Sequence, residues 1–159
     1  MSRPIDADTI TVRRARSADL NELAALRAEC GLVPSPRGFR DEMERMLNNS
    51  SEVCLVASDT SNGGQIVGAL VGSYDGRSAN VSRLATHPDH RRRGIATALV
   101  ARFTAALDHP SVSDASALVL DRTPDADRLW TALAFDHIGD VPAYRPSVRA
   151  RGTDRRGTA

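Results

Sequence analysis

Three consecutive arginines, Arg91, Arg92 and Arg93, run into Gly94-Ile95-Ala96 and then a string of small and apolar residues. A strand that ends in His-Pro and turns at once into a helix leaves the helix's first backbone N–H groups without partners, with the positive end of its dipole behind them. Such an end suits a phosphate group, and a diphosphate best. Gly94 lets the backbone approach an anion, Ala96 keeps the next position small, and the arginines add positive charge around the mouth. The same run can be read as a solvated helix start or as a nucleic-acid patch. A solvated start does not require Gly-x-Ala, and nucleic acid asks for a wider basic surface with interleaved aromatics.

The other residues able to move protons are scattered. Asp121 ends an apolar strand, where it could act as a base or cap the next helix. His87 has a suitable intrinsic pKa but falls in the phosphate-side loop, where a structural role is favoured. Tyr74 and Tyr144 could act as acids, or be buried rings with hydrogen-bonded hydroxyls. Cys30 and Cys54 are far apart and show no CxxC or Cys/His spacing, so they read as reduced apolar fillers rather than a disulfide or a metal site.

These residues sit in a chain of 159 residues, 41% hydrophobic and 26% charged, which suits one globular domain. With 21 basic and 20 acidic residues the net charge is +1. No whole-protein field then draws in nucleic acid or an anionic membrane, and anion binding must be local. The N-terminal segment has no apolar core of signal-peptide length, and no run of about 18 apolar residues occurs. The expectation is a cytoplasmic protein with no membrane or nucleic-acid partner.

Periodicity supplies the elements. "TITVRRA" reads as a first strand. A helix capped by Ser17 or Asp19, with Glu22 three residues after Asp19, carries Leu20, Leu23, Ala24 and Arg27 on one face and stops near Gly31. A Pro- and Gly-rich loop leads to "RDEMERMLNN", a short helix with Met43, Met46 and Leu47 inward. "EVCLVAS", "QIVGALVGSY" and "ANVSRLATH" form an antiparallel meander. A helix from about Gly94 to Asp108 follows, its stripe Ile95, Leu99, Phe103 and Leu107. Then come the strand "ASALVLD", a helix beginning after Pro124, and short strands "AFDHIG" and "VPAYRPS". Residues 1–9 read as an extension, 10–148 as the domain, and the Arg-rich 149–159 as a disordered tail. The order predicts an α/β (α+β) fold, a mixed sheet with helices on both faces.

The stretch Arg91-Arg92-Arg93-Gly94-Ile95-Ala96 resembles motif A of the GNAT superfamily of N-acetyltransferases, whose pattern is Gln or Arg, two residues, Gly, one residue, Gly or Ala. "LATHPDHRRRGIATALV" is similar to that family's strand-loop-helix, "RLWTALAFDHIG" to its later Tyr-x-x-x-Gly-Phe segment, and the element order to the family's own. "ECGL" with its Pro-rich loop, and "VGSYDGRSANVSRLATHP", are similar to small bacterial single-domain members. The resemblance implies a mostly antiparallel sheet of six to seven strands, splayed between strands 4 and 5. It also implies acetyl-CoA as donor, no metal, and direct transfer to a primary amine in a ternary complex.

Matched to the family's motif, the amides of Arg92, Arg93, Gly94, Ile95, Ala96 and Thr97 form the pyrophosphate cradle, with Arg91 beside them. Leu84, Ala85 and Thr86 pair with the pantetheine arm as an added strand would. Thr123 and Trp130 complete the cofactor-binding set. The family's usual tyrosine acid is Trp130 here, its Asn is Thr123, its Gly before Phe135 is Ala134, and the Glu that serves as base in some members is Leu118. Asp121 and Tyr144 are therefore the candidate base and acid. The acceptor cleft falls between Leu32–Phe39 and about Gly139–Pro146, with Arg37, Asp140 and Tyr144, and with Glu29, Arg40, Asp41 and Glu42 beside it. Its mixed signs favour an amino-acid-sized amine or a protein N-terminus over a polyamine or aminoglycoside. A homodimer is left open. The rival reading is a noncatalytic acyl-CoA-binding or regulatory module that keeps the cradle and lacks the proton-transfer residues.

Overall fold

The computed structural model describes residues 9–32, 38–107, 114–117 and 124–139. Nine elements follow one another: β1 Ile10–Arg14, α1 Leu20–Glu29, α2 Phe39–Leu47, β2 Glu52–Asp59, β3 Gln65–Tyr74, β4 Ser78–Thr86, α3 Ile95–Ala106, β5 Asp114–Ala117 and α4 Pro124–Ala132. This is the order the periodicity predicts, with β3 bounded as read. The described strands make one five-stranded mixed sheet in the order β1-β2-β3-β4-β5. The first four are antiparallel and β5 runs parallel to β4. Five strands stand where six to seven were expected. "VPAYRPS" lies outside the described residues, and "AFDHIG" is not a strand. Ala134 is taken up in ending α4, and Ile138 is 85% exposed, so no alternation of buried and open faces sustains a strand there. Residues 1–8 of the 1–9 extension and the tail at 149–159 also lie outside the described residues.

Helices cover both faces. On one, Leu20, Leu23 and Leu26 of α1 and Met43 of α2 pack on Cys54, Val56, Ile66 and Val71. Leu26 is the buried third leucine and Ala24 is exposed, a correction to the expected stripe: the i, i+3, i+6 rotation buries the larger side chain. On the other face α3 buries Ile95, Leu99, Phe103 and Leu107 as predicted, with Val100 beside them. Two glycines of β3 make room for it. A Cβ on Gly68 would lie 2.5 Å from Ile95 Cγ2, and one on Gly72 would lie 2.4 Å from Phe103 Cε2.

Helix ends follow the sequence closely. The Gly31 N–H bonds to Ala28 O at 3.0 Å and the Leu32 N–H to Arg27 O at 3.0 Å, with Gly31 at φ +69°, a Schellman ending for α1. The start of α1 differs from expectation. Asp19 makes no side-chain cap to its own helix. Its carboxylate instead accepts two bonds from Arg13, at 2.7 and 2.8 Å, and one from Arg16 N at 2.8 Å. Glu22 reaches across to accept from Ile66 N at 3.0 Å.

Two bulges shape the sheet. In β3 the register steps between Ala57 and Ser58, leaving Val67 as the extra residue, and its carbonyl accepts from His87 N at 2.8 Å. In β4 the extra residue is Ser82, whose Oγ donates to Val71 O at 3.1 Å. The second bulge follows Val81, which is paired with Ala117, the last described residue of β5. Beyond it Leu84, Ala85 and Thr86 pair with Leu70, Ala69 and Gly68 of β3. Among the described residues their other edge has no strand partner.

Candidate active site

The loop from β4 to α3 is held from below. A single 3₁₀ turn, Pro88–His90, follows His87, whose Nδ1 accepts from Asp89 N at 3.2 Å. With Nδ1 accepting, the neutral ring carries its proton on Nε2. The His87 ring also meets the His90 ring edge-on, with centroids 5.2 Å apart. His87 is thus a structural residue of the turn, as favoured from its position.

Arg92 then takes φ +58° and Gly94 φ +73°, two left-handed residues that turn the chain into α3. The first helical bond is Ala98 N to Gly94 O at 2.9 Å, so the N–H groups of Ile95, Ala96 and Thr97 have no intrahelical acceptor. A Cβ on Gly94 would meet nothing within 4 Å. Among the described residues, nothing stands over that position. A diphosphate fits that mouth: unpaired amides, a residue without a side chain, and Arg91 and Arg92 exposed at its rim. The start of α4 is electrically close, because Asp125 is held below the usual carboxylate range by its bond from Arg128, with smaller contributions from Arg92 and Arg91.

Arg93 is different. Its NH1 stands 3.8 Å from Oδ2 of Asp59, a residue only 2% exposed at the end of β2. His90 Nε2 is 3.7 Å from the same oxygen. The other carboxylate oxygen accepts from Ser61 N at 2.9 Å and Ser61 Oγ at 2.5 Å. These bonds from Ser61 come first in lowering the Asp59 pKa, against burial, with Arg93 and His90 adding to the effect. Burial lowers the pKa of His90. Asp59 therefore anchors the loop between β4 and α3 to the sheet, a role the sequence reading missed. Asp-x-Ser after a strand signals an Asx turn, but nothing in it points to a partner some thirty residues later.

Below the paired side of β4 lies a cavity of about 470 Å³, between α1, α2 and the sheet. Leu84 and Ala85 line it, as do Arg27 and Arg83. Arg27 holds its guanidinium over the Phe39 ring, 5.1 Å from the centroid, and Arg83 pairs with Glu42. Cys30 ties the end of α1 to the site, its Sγ donating to Thr86 O at 3.4 Å. Burial pushes the Cys30 thiol up, with Arg91 pulling the other way, and pushes Cys54 in the cavity wall up to about 11.

The structure thus brings Leu84, Ala85, Thr86 and Arg91–Thr97 together. Trp130 is half-buried on α4, packed against the α3-side core and edge-on to Phe135 at 5.1 Å between centroids. Tyr74 packs on that same core. Asp121, Thr123, Leu118, Arg37, Asp140 and Tyr144 lie outside the described residues. Among the described residues no group of three His, Cys, Asp or Glu could hold a metal, and no helix is long and apolar enough to cross a membrane.

Comparison with known proteins gives a consistent answer. The model of the acetyltransferase (GNAT) family matches residues 20–135. An acetyltransferase of Sodalis glossinidius is 36% identical over 92 residues, which are 58% of this chain and 63% of that protein. The chain thus spans less than two thirds of that relative's length. Among solved structures, the aminoglycoside 6'-N-acetyltransferase AAC(6')-Ih of Acinetobacter baumannii superposes with TM-score 0.73 at 19% identity, covering 87% of this chain and 99% of that one. The aminoglycoside N-acetyltransferase AAC(6')-Iy in complex with CoA gives 0.72 at 17%, covering 87% and 95%. At such identities the likeness to these two is one of fold.

Proposed function

The chain belongs to the GNAT family of acetyltransferases, and on that premise we propose that it moves the acetyl group of acetyl-CoA to a primary amine, a small molecule or a protein N-terminus, by direct transfer in a ternary complex. The observation that carries the reading is the start of α3, the first α-helix after β4, with its amides of Ile95, Ala96 and Thr97 outside the helical ladder. The amides of Ile95, Ala96 and Thr97 and the rim arginines Arg91 and Arg92 would hold the diphosphate. The edge of Leu84–Thr86 that has no strand partner among the described residues would pair with the amide-bearing pantetheine arm, as a peptide adds to a sheet. Thr123 and Trp130 would border that arm.

Bound acetyl-CoA supplies the thioester: the amine nitrogen bonds to the acetyl carbon, the carbon–sulfur bond breaks, and the proton lost by nitrogen ends on sulfur. A strand N–H near the carbonyl would stabilise the developing oxyanion. Asp121 and Tyr144 are proposed as base and acid, with water able to serve where positioning supplies most of the rate. Neither cysteine is suited to carry the acetyl group. Burial raises both thiols, so neither is a thiolate nucleophile near neutral pH, which supports direct transfer over an acetyl-cysteine route.

Calorimetric titration with acetyl-CoA, run beside Gly94→Glu, tests the reading. Wild-type binding that disappears in the variant is expected, because a carboxylate would project into the mouth from a left-handed backbone. CoA release over a panel of amines then separates an enzyme from a binding module, which would saturate without releasing thiol. A folded wild-type protein that does not bind acetyl-CoA would end the proposal.

A further inference from the structure

Leu23, Leu26, Phe39 and Met43, with Ala69 and Val71 of β3, line the cavity of about 470 Å³ between α1, α2 and the sheet. That volume is in the range of small-molecule sites. The polar side chains of its described wall are engaged within the protein. Ser82 Oγ donates to Val71 O at 3.1 Å, Arg83 is bonded to Glu42, and the Arg27 guanidinium lies over the Phe39 ring. The described lining residues include no carboxylate. Leu84 and Ala85 also line the cavity, on the strand whose edge is proposed to hold the pantetheine arm. A small amine seated here would therefore lie beside the proposed transfer point.

We propose that the acceptor is a monoamine whose remainder is one apolar group, arylalkyl or branched alkyl, held against Leu23, Leu26, Phe39 and Met43 with its nitrogen toward Leu84 and Ala85. The inference rests on the acetyltransferase reading above and narrows it. Moving such a group out of water is favourable in proportion to the area covered, and it needs no polar partner in the wall. A hydroxyl-bearing substituent would give up water for side chains that are already bonded. A polyamine or aminoglycoside carries further ammonium groups, and these would meet two arginines and no acid among the described lining residues. A peptide N-terminus would bring backbone amides against the same apolar wall. The wall also acts on the nucleophile: desolvation disfavours the ammonium form and so shifts the amine toward the neutral state that attacks the thioester. The transfer is the one written above, with an N-acetylated amine and CoA as products.

The test is acetyl-CoA-dependent CoA release by the full chain. The acceptors are propylamine, butylamine and pentylamine as a series, 3-methylbutylamine and phenethylamine, and ethanolamine, spermidine, kanamycin and a short peptide beginning with alanine. In the series kcat/KM is expected to rise about fourfold for each added methylene. Phenethylamine and 3-methylbutylamine are expected to exceed ethanolamine, both polycations and the peptide about tenfold or more. Leu32 lines the cavity yet is 44% exposed, so it can be changed without opening the core. Leu32→Asp is expected to raise KM for the apolar amines and narrow their lead over spermidine. The wild-type comparison stands without the variant. A series flat in chain length, or equal or better use of ethanolamine, a polycation or the peptide, would overturn this inference alone. Failure to bind acetyl-CoA, or binding without CoA release for any of these amines, would overturn the acetyltransferase reading and this inference with it.

Discussion

Oδ2 of Asp59 lies 3.7 Å from Nε2 of His90, joining the end of β2 to the loop that opens α3. The same oxygen faces Arg93 at 3.8 Å, and Ser61 holds the other oxygen in place. One buried carboxylate thus fixes the height and direction of the proposed phosphate cradle without touching the phosphate. Asp59→Asn keeps the side-chain shape and removes the charge. It is expected to cost roughly 1 kcal/mol of acetyl-CoA binding, about fivefold in Kd. The discriminating readout is the split between substrates: KM for acetyl-CoA rises while KM for the acceptor stays where it was.

Gly68 and Gly72 are two pleat repeats apart in β3, yet alanine at the two should behave differently. At Gly72 the new methyl meets the fully buried Phe103 ring at 2.4 Å and the Asn80 carbonyl at 3.0 Å. Overpacking of this kind costs about 1–3 kcal/mol, or roughly 2–4 °C of Tm for each kcal/mol in a chain of this size. At Gly68 the methyl pushes on Ile95 Cγ2 at 2.5 Å, and Ile95 is the first residue of α3. Gly68→Ala is therefore expected to weaken acetyl-CoA binding as well as stability, and Gly72→Ala to lower Tm with little change in Kd. Thermal melts and titrations on both variants check the pair.

The element order, the α3 stripe and the glycine ending of α1 are local properties, set by periodicity and by what one residue's backbone allows, and they could be read directly. The arginine-rimmed start of α3 was legible for the same reason, since Arg-Arg-Arg-Gly-Ile-Ala states its charge, its gap and its helix in six residues. What could not be read depends on contacts across the chain. The bulges at Val67 and Ser82 show only in the pairing of each strand with its neighbour. The need for Gly68 and Gly72 shows only with α3 laid across them. Asp19 looked like a helix cap because Arg13, its stronger partner, is on the preceding strand. Arg27 and Arg83 gained meaning only when α1 and β4 were found to wall one cavity.

Ala134 departs from the glycine that the resembled family places before its Phe, and the backbone shows the consequence. The Ala134 N–H bonds to Thr131 O and the Phe135 N–H to Trp130 O, a Schellman ending for α4 with an alanine at φ +61°. A Cβ in the left-handed region costs about 1–2 kcal/mol. Ala134→Gly is expected to recover much of it, less the greater freedom glycine gives the unfolded chain. A Tm higher by about 2–4 °C is the expected result, and an unchanged or lower Tm would show that the ending is not strained.

Acid should weaken the fold in two stages. His90 has its pKa lowered by burial, so between its ordinary 6.5 and the lower folded value the unfolded chain binds more protons, and stability falls as pH falls through that window. Asp19, held down first by its bonds from Arg13, and Asp59, held down first by Ser61, keep their contribution above 3.8 and lose it as pH drops from there through their folded values. Melting temperature followed from pH 7 downward should show a shallow decline beginning near 6.5 and a steeper one below 3.8. His90→Gln removes the titrating ring and should flatten the first decline while leaving the second. Asp19→Asn should do the reverse, reducing the acid-side loss without touching the shoulder near 6.5, and lowering Tm at neutral pH because Arg13 then faces an amide instead of a carboxylate.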